Sequence, residues 1–278
     1  METKIIAIAN EKGGVAKTTS TGAIGSVLSR RGYKTVMVDL DPQADLTVSL
    51  NVDAGEKNIF DCIFTHKKIM ASQVNKNLVL VGGSPYLNPI DFLDERKKDV
   101  DLQDENEKEI LKSLLDSLKG KVDYILLDCP PNKEIITTNA LVASDYVIIP
   151  SEAHAFSTNG IISVKALVER YQRKLNPNLK ILGILLTRYR SNTAIHSDMA
   201  EWLNGEFPNT LFKTKIHENI TIQEATQEGQ EIEEYQKVKA EQQLVKTKKP
   251  FRGLKDYGDL VDEILEKIEK WQKQEINS

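Results

Sequence analysis

A glycine-containing segment near the N-terminus places the strongest constraint on how this chain can fold. Residues 12–19 read Lys-Gly-Gly-Val-Ala-Lys-Thr-Thr, between the apolar run 5–9 and a helix-competent stretch that reaches about residue 31. The two adjacent glycines allow a sharp backbone turn, and the helix adds the positive end of its dipole. A strand, a turn and a helix in this order form a cradle for phosphate groups.

The side chains of this segment predict which phosphates the cradle holds. Lys17 would contact the β- and γ-phosphates of a nucleotide, and the Thr18 hydroxyl would be a ligand of Mg²⁺. A standard P-loop has glycines where this chain has Glu11 and Ala16, and it does not require a lysine at position 12. Lys12 is therefore the unusual residue. The alternatives are a Gly-Gly turn that only connects strand and helix, and a Lys12 that is only solvated.

Two further segments predict strands that end in aspartate. Residues 34–43 form an apolar run that ends at Asp39 and Asp41 before a proline, and residues 122–131 form a nearly continuous apolar run that ends at Asp128. Carboxylates at the C-terminal ends of parallel strands face the ligand crevice of such a sheet. Asp128 is predicted to hold Mg²⁺ through water, the alternative being an aspartate that caps the next helix.

These motifs resemble the deviant Walker A ATPases of the ParA/MinD group, and the resemblance covers roughly residues 3–232 and 250–275. In that group the first lysine of the loop, here Lys12, reaches the nucleotide of a partner subunit. The resemblance implies that Asp41 lies beside the γ-phosphate and orients the attacking water. The implied nucleotide-binding set is Lys12, Gly13, Gly14, Val15, Ala16, Lys17, Thr18, Thr19, Asp128 and Pro130, with Lys12, Lys17 and Asp41 as catalytic residues and Thr18 and Asp128 as magnesium ligands.

Strand and helix patterns alternate along the rest of the chain. This alternation predicts an α/β fold, a doubly wound and mostly parallel sheet with helices on both faces, in a single ATPase domain over residues 1–278. The predicted helices lie at about 59–69, from 87, at 110–118 and at 158–175, and the predicted strands at 78–83, 146–150 and 181–188.

Composition limits the classes of function. The net charge is −4, so no global basic field predicts nucleic-acid binding, and any such contact must come from a local patch. Cys62 and Cys129 have no spacing that suggests a disulfide framework or a zinc site. No export signal and no apolar run of about 18 residues is visible, which predicts a soluble, cytoplasmic protein.

Two basic regions are candidate DNA contacts. Close relatives use two arginines for nonspecific DNA binding, and Arg188 or Arg190 is the match for the first, whereas Thr221 occupies the second position. Residues 237–255 hold seven lysines and arginines against one acid, within a predicted basic insertion at 233–255. The alternative for this run is a solvated face. The candidate DNA-binding residues are Arg188, Arg190, Lys246, Lys248, Lys249 and Arg252.

Apolar residues recur at three- and four-residue spacing in the last segment, which predicts an amphipathic helix over 256–276. We expect it to pack on the domain. The alternative is membrane binding as in MinD-like relatives, but Glu263, Glu266 and Glu269 would be repelled by anionic lipid.

The resemblance implies a function in DNA partition. ATP with Mg²⁺ would close a homodimer that binds nonspecific double-stranded DNA on the nucleoid, and a centromere-binding, ParB-like partner would stimulate slow hydrolysis. Operator binding is not expected, because the N-terminal helix-turn-helix extension is absent. The alternatives are a MinD-like membrane-associated positioning ATPase and an enzyme such as the nitrogenase iron protein. Cys62 and Cys129 of this chain do not match the cysteines that hold the cluster of that enzyme.

Overall fold

The computed structural model describes residues 2–98, 106–131, 135–153, 158–219 and 252–276. The strands are β1 Lys4–Ile8, β2 Thr35–Asp39, β3 Ser72–Asn75, β4 Leu78–Val81, β5 Tyr124–Asp128, β6 Tyr146–Glu152 and β7 Lys180–Thr187. The helices are α1 Lys17–Arg30, α2 Asp45–Ser49, α3 Ile59–Phe64, α4 Pro89–Lys98, α5 Ile110–Asp116, α6 Ile135–Ala143, α7 Thr158–Lys174, α8 Ala194–Glu206 and α9 Arg252–Ile276, with a 3-10 turn at Pro85–Leu87.

The strands form one sheet in the order β3-β4-β2-β5-β1-β6-β7. Every neighbouring pair is parallel except β3 and β4, so the predicted doubly wound, mostly parallel fold is confirmed. Helices α1 and α9 cover one face, while α5, α6 and α7 cover the other. The central strands β1, β2 and β5 are buried throughout, because each lies between two layers of helices.

The strand order determines where a ligand can bind. Strands β2, β5 and β4 lie on one side of β1 in the strand order, and β6 and β7 lie on the other. Because the strand order changes direction at β1, a crevice opens at the C-terminal end of this strand. In the parallel register, Ile8 pairs with Asp128 and Asp128 pairs with Asp39. The ends of β1, β5 and β2 are therefore level at this edge.

Helix α9 packs along α1 with its apolar face buried. Tyr257, Leu260 and Ile264 are at most 1% exposed, and the Tyr257 hydroxyl lies 3.1 Å from Ser20 Oγ of α1. The helix begins at Arg252, whereas the sequence predicts a start at 256. The rest of the predicted basic insertion, through residue 251, lies outside the described residues. Among the described helices, none combines the length and apolarity that a bilayer span requires.

Candidate functional site

The loop between β1 and α1 has the backbone that a phosphate cradle requires. Gly14 and Ala16 have left-handed φ values of 76° and 64°, and Ala16 is the N-cap of α1. Gly13 and Gly14 are exposed, and nothing lies within 4 Å of the position that a Cβ would take at either glycine. The loop is therefore open on this side, and its N–H groups and the helix N-terminus can receive an anion.

Neighbouring strands hold the loop in place. The buried Asn10 donates from Nδ2 to the carbonyl of Pro150 in β6 at 2.6 Å and accepts from the Lys12 N–H at 3.0 Å. On the other side of the loop, Thr187 at the end of β7 donates from Oγ1 to the Val15 carbonyl at 3.1 Å. No sequence pattern indicated Asn10 or Thr187, because the contacts that join them to Pro150 and Val15 span more than a hundred positions.

The two lysines of the loop lie in different environments. Lys17 is only 7% exposed, and its Nζ donates to the Lys12 carbonyl at 3.2 Å. Burial lowers the pKa of Lys17, and the charge of Asp128 offsets part of this effect. The Lys12 side chain is only half-buried. One cation thus lies inside the loop and the other near its surface.

Asp128 is a buried carboxylate with one unsatisfied oxygen. Its Oδ1 accepts from Thr21 Oγ1 at 3.2 Å, and the Thr18 hydroxyl lies close enough to lower the pKa of the carboxyl. The other oxygen, Oδ2, is buried and has no hydrogen-bond donor among the described residues. Burial raises the pKa of Asp128, and the neighbouring charge of Asp39 raises it further.

Asp39 and Asp41 have different surroundings. Asp39 is fully buried, and its Oδ2 accepts from both the N–H and the hydroxyl of Thr47, at 2.9 and 2.7 Å. Burial raises its pKa. Asp41 lies in the loop beyond β2, half-buried, and its Oδ1 accepts from the Gln43 N–H at 3.0 Å. These contacts suit Asp39 for a structural role and leave Asp41 at the edge of the crevice.

The residues around Asp128 fit a magnesium ion that is shared with a nucleotide. Thr18 and Asp128 offer oxygen donors, and the unsatisfied Oδ2 is one of them. No group of three or more His, Cys, Asp or Glu side chains that could hold a metal occurs among the described residues. Mg²⁺ is commonly held by one or two protein oxygens together with phosphates and water, which matches this sparse set.

Two of the predicted DNA-binding residues, Arg188 and Arg190, lie just beyond the end of β7 and are held by ion pairs. Arg188, at a left-handed φ of 49°, pairs with Glu152 at 2.7 Å, and Arg190 makes a two-pronged contact with Glu218, one prong of which measures 2.9 Å. Lys246, Lys248 and Lys249 lie outside the described residues, and Arg252 is the first residue of α9.

Similar proteins place the chain in a family. A family profile described as "AAA domain" matches residues 3–181. The chromosome-partitioning ATPase Soj of Treponema pallidum is 33% identical over 84% of this chain and 90% of its own length. The sporulation initiation inhibitor protein Soj of Bacillus subtilis is 32% identical over 82% of this chain and 90% of its own length.

Solved structures show the same fold. A putative plasmid partition protein from Borrelia burgdorferi bound to AMPPNP superposes with a TM-score of 0.69, at 26% identity over 96% of this chain and 99% of that one. Cobyrinic acid a,c-diamide synthase from Mycobacterium smegmatis, with a bound ATP analogue and magnesium, superposes with a TM-score of 0.72. It is 25% identical, and the match covers 94% of this chain and 93% of that one. Since one fold carries both activities, the assignment depends on the sequence relatives and on the loop. The chain belongs to the AAA domain family and, within it, to the ParA-type partition ATPases.

Proposed function

We propose that this ATPase segregates DNA through a nucleotide-dependent homodimer. ATP with Mg²⁺ closes a sandwich dimer that binds nonspecific double-stranded DNA, and a centromere-binding, ParB-like partner stimulates hydrolysis and so releases the DNA. The observation that carries the proposal is the different burial of Lys12 and Lys17 in one loop. A P-loop that serves only its own nucleotide needs one lysine, and this loop presents a second near its surface.

Within one subunit, Lys17 binds the β- and γ-phosphates. Its ammonium group already lies inside the loop, where it donates to the Lys12 carbonyl, and phosphate oxygens would replace that neutral acceptor. A charge-assisted bond is about twice as strong as a neutral one. The half-buried Lys12 lies near the surface of the same loop, and we expect it to reach the γ-phosphate of the partner subunit, which makes closure of the dimer depend on ATP.

Thr18 and Asp128 hold Mg²⁺, and Asp41 positions water. The ion supplies positive charge beside the phosphates and relieves the repulsion between two buried carboxylates. Asp41 is exposed enough to receive a water molecule, whereas Asp39 is occupied by Thr47. Catalysis then consists of in-line positioning and charge neutralisation.

Exposed apolar side chains support a dimer face at the edge where the loop lies. Val48 in α2, Ile162 in α7 and Ile195 in α8 are 67%, 52% and 66% exposed. Each lies in the first two turns of a helix that follows the C-terminal end of a parallel strand, as the loop does. A second copy of the chain seated over the nucleotide would cover them.

DNA binding is proposed for two sets of basic residues, one that follows β7 in the sequence and one that precedes or begins α9. Arg190 is held by an exposed ion pair, which is worth little and can be exchanged for phosphate. The guanidinium of Arg188 is also exposed, although its partner Glu152 is largely buried. Lys246, Lys248, Lys249 and Arg252 form the second group. A protein that binds random DNA in this way would be cytoplasmic and associated with the nucleoid.

The membrane-associated alternative receives less support from the fold. Binding of α9 to lipid would require its apolar face, and Tyr257, Leu260 and Ile264 of that face are buried against the domain. Co-sedimentation with anionic vesicles in the presence of ATP tests this alternative directly.

One measurement tests the main proposal. Sedimentation velocity of the protein with ADP, with a nonhydrolysable ATP analogue, and with that analogue plus random-sequence duplex DNA should give a monomer, a dimer and a dimer–DNA complex. A monomer under all three conditions would contradict the sandwich dimer. A dimer whose sedimentation does not change when DNA is added would contradict the DNA contact.

A further inference from the structure

Helix α1 packs closely against the sheet behind the nucleotide loop. Lys17, Thr21 and Gly25 are spaced four residues apart, so they lie on one face of this helix, and all three are buried. A Cβ added at Gly25 would lie 2.5 Å from Met37 Sδ of β2 and 3.4 Å from Leu126 Cδ1 of β5. The glycine therefore permits a close approach of the helix to both strands.

This close approach brings a hydroxyl of the helix to the end of β5. Thr21 is fully buried, and its Oγ1 lies 3.2 Å from Asp128 Oδ1 and 3.0 Å from the Lys17 carbonyl oxygen. A hydroxyl has one proton, so it donates to one of these oxygens at a time. The Lys17 carbonyl is also the acceptor that the helical pattern assigns to the Thr21 N–H. The Asp128 oxygen lies in the interior, where a carboxylate without a donor costs free energy.

The two oxygens of Asp128 have different surroundings. Oδ1 faces the Thr21 hydroxyl, whereas the buried Oδ2 has no hydrogen-bond donor among the described residues. The Thr18 hydroxyl also lowers the pKa of the carboxyl, but we expect Thr18 to be a ligand of Mg²⁺ itself. Thr21 lies almost one turn further along α1 and is suited to hold the carboxyl from the side of the helix.

We propose that Thr21 is a positioning residue for magnesium, which holds Oδ1 of Asp128 and so leaves Oδ2 for the ion and its water. The torsion that rotates a carboxyl group has a broad energy well, so a buried donor to one oxygen restricts this rotation. Groups that orient a metal ligand in this way typically contribute about ten- to a hundredfold to metal affinity. The inference rests on the proposed function, because it takes Asp128 as a magnesium ligand.

The alternative for Thr21 is a helical threonine whose hydroxyl bonds only to the carbonyl four residues earlier. The distance to the Lys17 carbonyl permits this bond. The two roles predict different results when the hydroxyl is removed. A positioning residue changes the dependence of nucleotide binding on Mg²⁺, whereas a bond within the helix affects only the stability of α1.

The test measures binding of a fluorescent, nonhydrolysable ATP analogue to the full chain in EDTA and at graded concentrations of free Mg²⁺. Thr21→Val replaces the hydroxyl by a methyl group of similar size. The free Mg²⁺ concentration that gives half of the Mg²⁺-dependent gain in affinity should rise about tenfold in this variant. Its affinity in EDTA should stay close to that of the native chain, because Lys17 and the loop are unchanged.

Two further variants separate the hydroxyl from the packing of α1. Thr21→Ser keeps the hydroxyl and should retain the native Mg²⁺ dependence. The matched control is Ser20→Ala, which removes the neighbouring buried hydroxyl of the same helix, 3.1 Å from the hydroxyl of Tyr257. This control should also retain the native Mg²⁺ dependence. If Thr21→Val does not fold, Thr21→Ala takes its place, because it adds no methyl group beside Asp128.

Three outcomes would overturn the inference. An unchanged Mg²⁺ dependence in Thr21→Val would leave the hydroxyl with a bond inside the helix only. An equal loss of affinity in EDTA and in Mg²⁺ would indicate a distorted nucleotide loop. Equal shifts in Thr21→Val and Thr21→Ser would exclude the hydroxyl as the cause.

Failure of this inference is distinguishable from failure of the proposed function. Asp128→Asn should remove the Mg²⁺ dependence of analogue binding. If this variant behaves as the native chain does, Asp128 is not a magnesium ligand, and both proposals are wrong on this point. If Asp128→Asn removes the dependence and Thr21→Val does not shift it, only the role of Thr21 is wrong.

Discussion

Asp39 and Asp128 are paired residues of the adjacent strands β2 and β5, and both carboxyl groups are fully buried. The two groups differ in their partners, because Thr47 donates twice to Asp39 while one oxygen of Asp128 lacks a donor among the described residues. Burial raises the pKa of each carboxyl, and the charge of Asp39 raises the pKa of Asp128 further. The metal-free site is thus destabilised by its own charges, and a divalent cation relieves this.

Asp128→Asn should therefore stabilise the protein in EDTA. Asparagine cannot ionise, so the variant avoids the cost of keeping this buried carboxyl from ionising, and its free energy of unfolding should be higher by about 1 to 3 kcal/mol near neutral pH. Since the folded pKa of Asp128 lies above its unfolded value, the native carboxyl contributes most stability below about pH 4 and loses it as pH rises through the folded pKa. The advantage of the variant should grow with pH in urea unfolding.

Asp39→Asn is the matched comparison for this prediction. An amide cannot reproduce every bond that Asp39 accepts from Thr47 and from the Asp41 N–H, so the gain should be smaller or reversed. Destabilisation by Asp128→Asn, or equal effects of the two variants, would rule out the unsatisfied oxygen as the cause. Stabilisation by Mg²⁺ and ATP should disappear in Asp128→Asn.

Ala16→Gly should stabilise the nucleotide loop. Ala16 has a left-handed φ of 64°, which costs an L-residue about 1 to 2 kcal/mol, whereas glycine adopts it without strain. The greater freedom of glycine stabilises the unfolded chain and so offsets roughly 0.4 to 1 kcal/mol of this benefit. The free energy of unfolding should therefore rise by about 0.5 to 1 kcal/mol. Ala23→Gly, inside α1, should instead lower the free energy of unfolding by about 1 kcal/mol or more. A loss at position 16 would mean that the loop is not strained.

Lys17→Ala and Lys12→Ala should separate binding from closure. Loss of Lys17 removes the buried cation of the loop and should abolish binding of a fluorescent ATP analogue. Loss of Lys12 should leave that affinity largely intact while ATP-driven dimerisation and hydrolysis disappear, because this lysine acts across the interface. Normal dimerisation of Lys12→Ala would contradict a shared nucleotide.

Asp41→Ala should stop hydrolysis without preventing closure. The variant keeps Thr18 and Asp128, so MgATP should still bind and the dimer should persist as it does with a nonhydrolysable analogue. A phosphate-release assay measures the loss of hydrolysis, and sedimentation in ATP measures the persistence of the dimer. Hydrolysis at the native rate would remove Asp41 from the mechanism.

The continuous apolar strands could be predicted from the sequence, and the edge strand could not. Residues 122–131 predict β5 because a central parallel strand is apolar on both faces. Ser72–Asn75, which forms β3, is polar, pairs on one side only and contains a register shift, so it carries no strand pattern. Its place in the sheet depends on β4, not on its own residues.

The loop and its cations could be predicted from local spacing, whereas the contacts that orient them could not. Lys12 and Lys17 lie within one short segment. The pairing of Asp39 with Asp128, and that of Arg190 with Glu218, arises from the sheet register and from tertiary packing. A groove lined by the loop before α3, by the turn at Pro85–Leu87 and by α4 combines three separate segments, so no single pattern indicates it.

DNA binding should depend on the arginines beyond β7 and on the basic segment in additive steps. If each subunit neutralises about two or three phosphates, log affinity for random duplex should fall against log salt with a slope of roughly −4 to −5. Arg188→Gln with Arg190→Gln should flatten that slope, and so should changing Lys246, Lys248, Lys249 and Arg252 to Gln, while ATP-driven dimerisation stays unchanged.

Glu218→Gln provides the opposite change, because it releases Arg190 from its ion pair. An exposed pair is worth at most about 1 kcal/mol, so DNA affinity should rise by up to about fivefold. Glu206→Gln, at the end of α8, adds the same charge without releasing an arginine and should raise affinity less. Anisotropy titration of labelled duplex over a range of salt measures both effects. An unchanged slope in both basic-residue variants would exclude these residues as the DNA surface, and an equal gain from the two glutamate changes would attribute the effect to net charge alone.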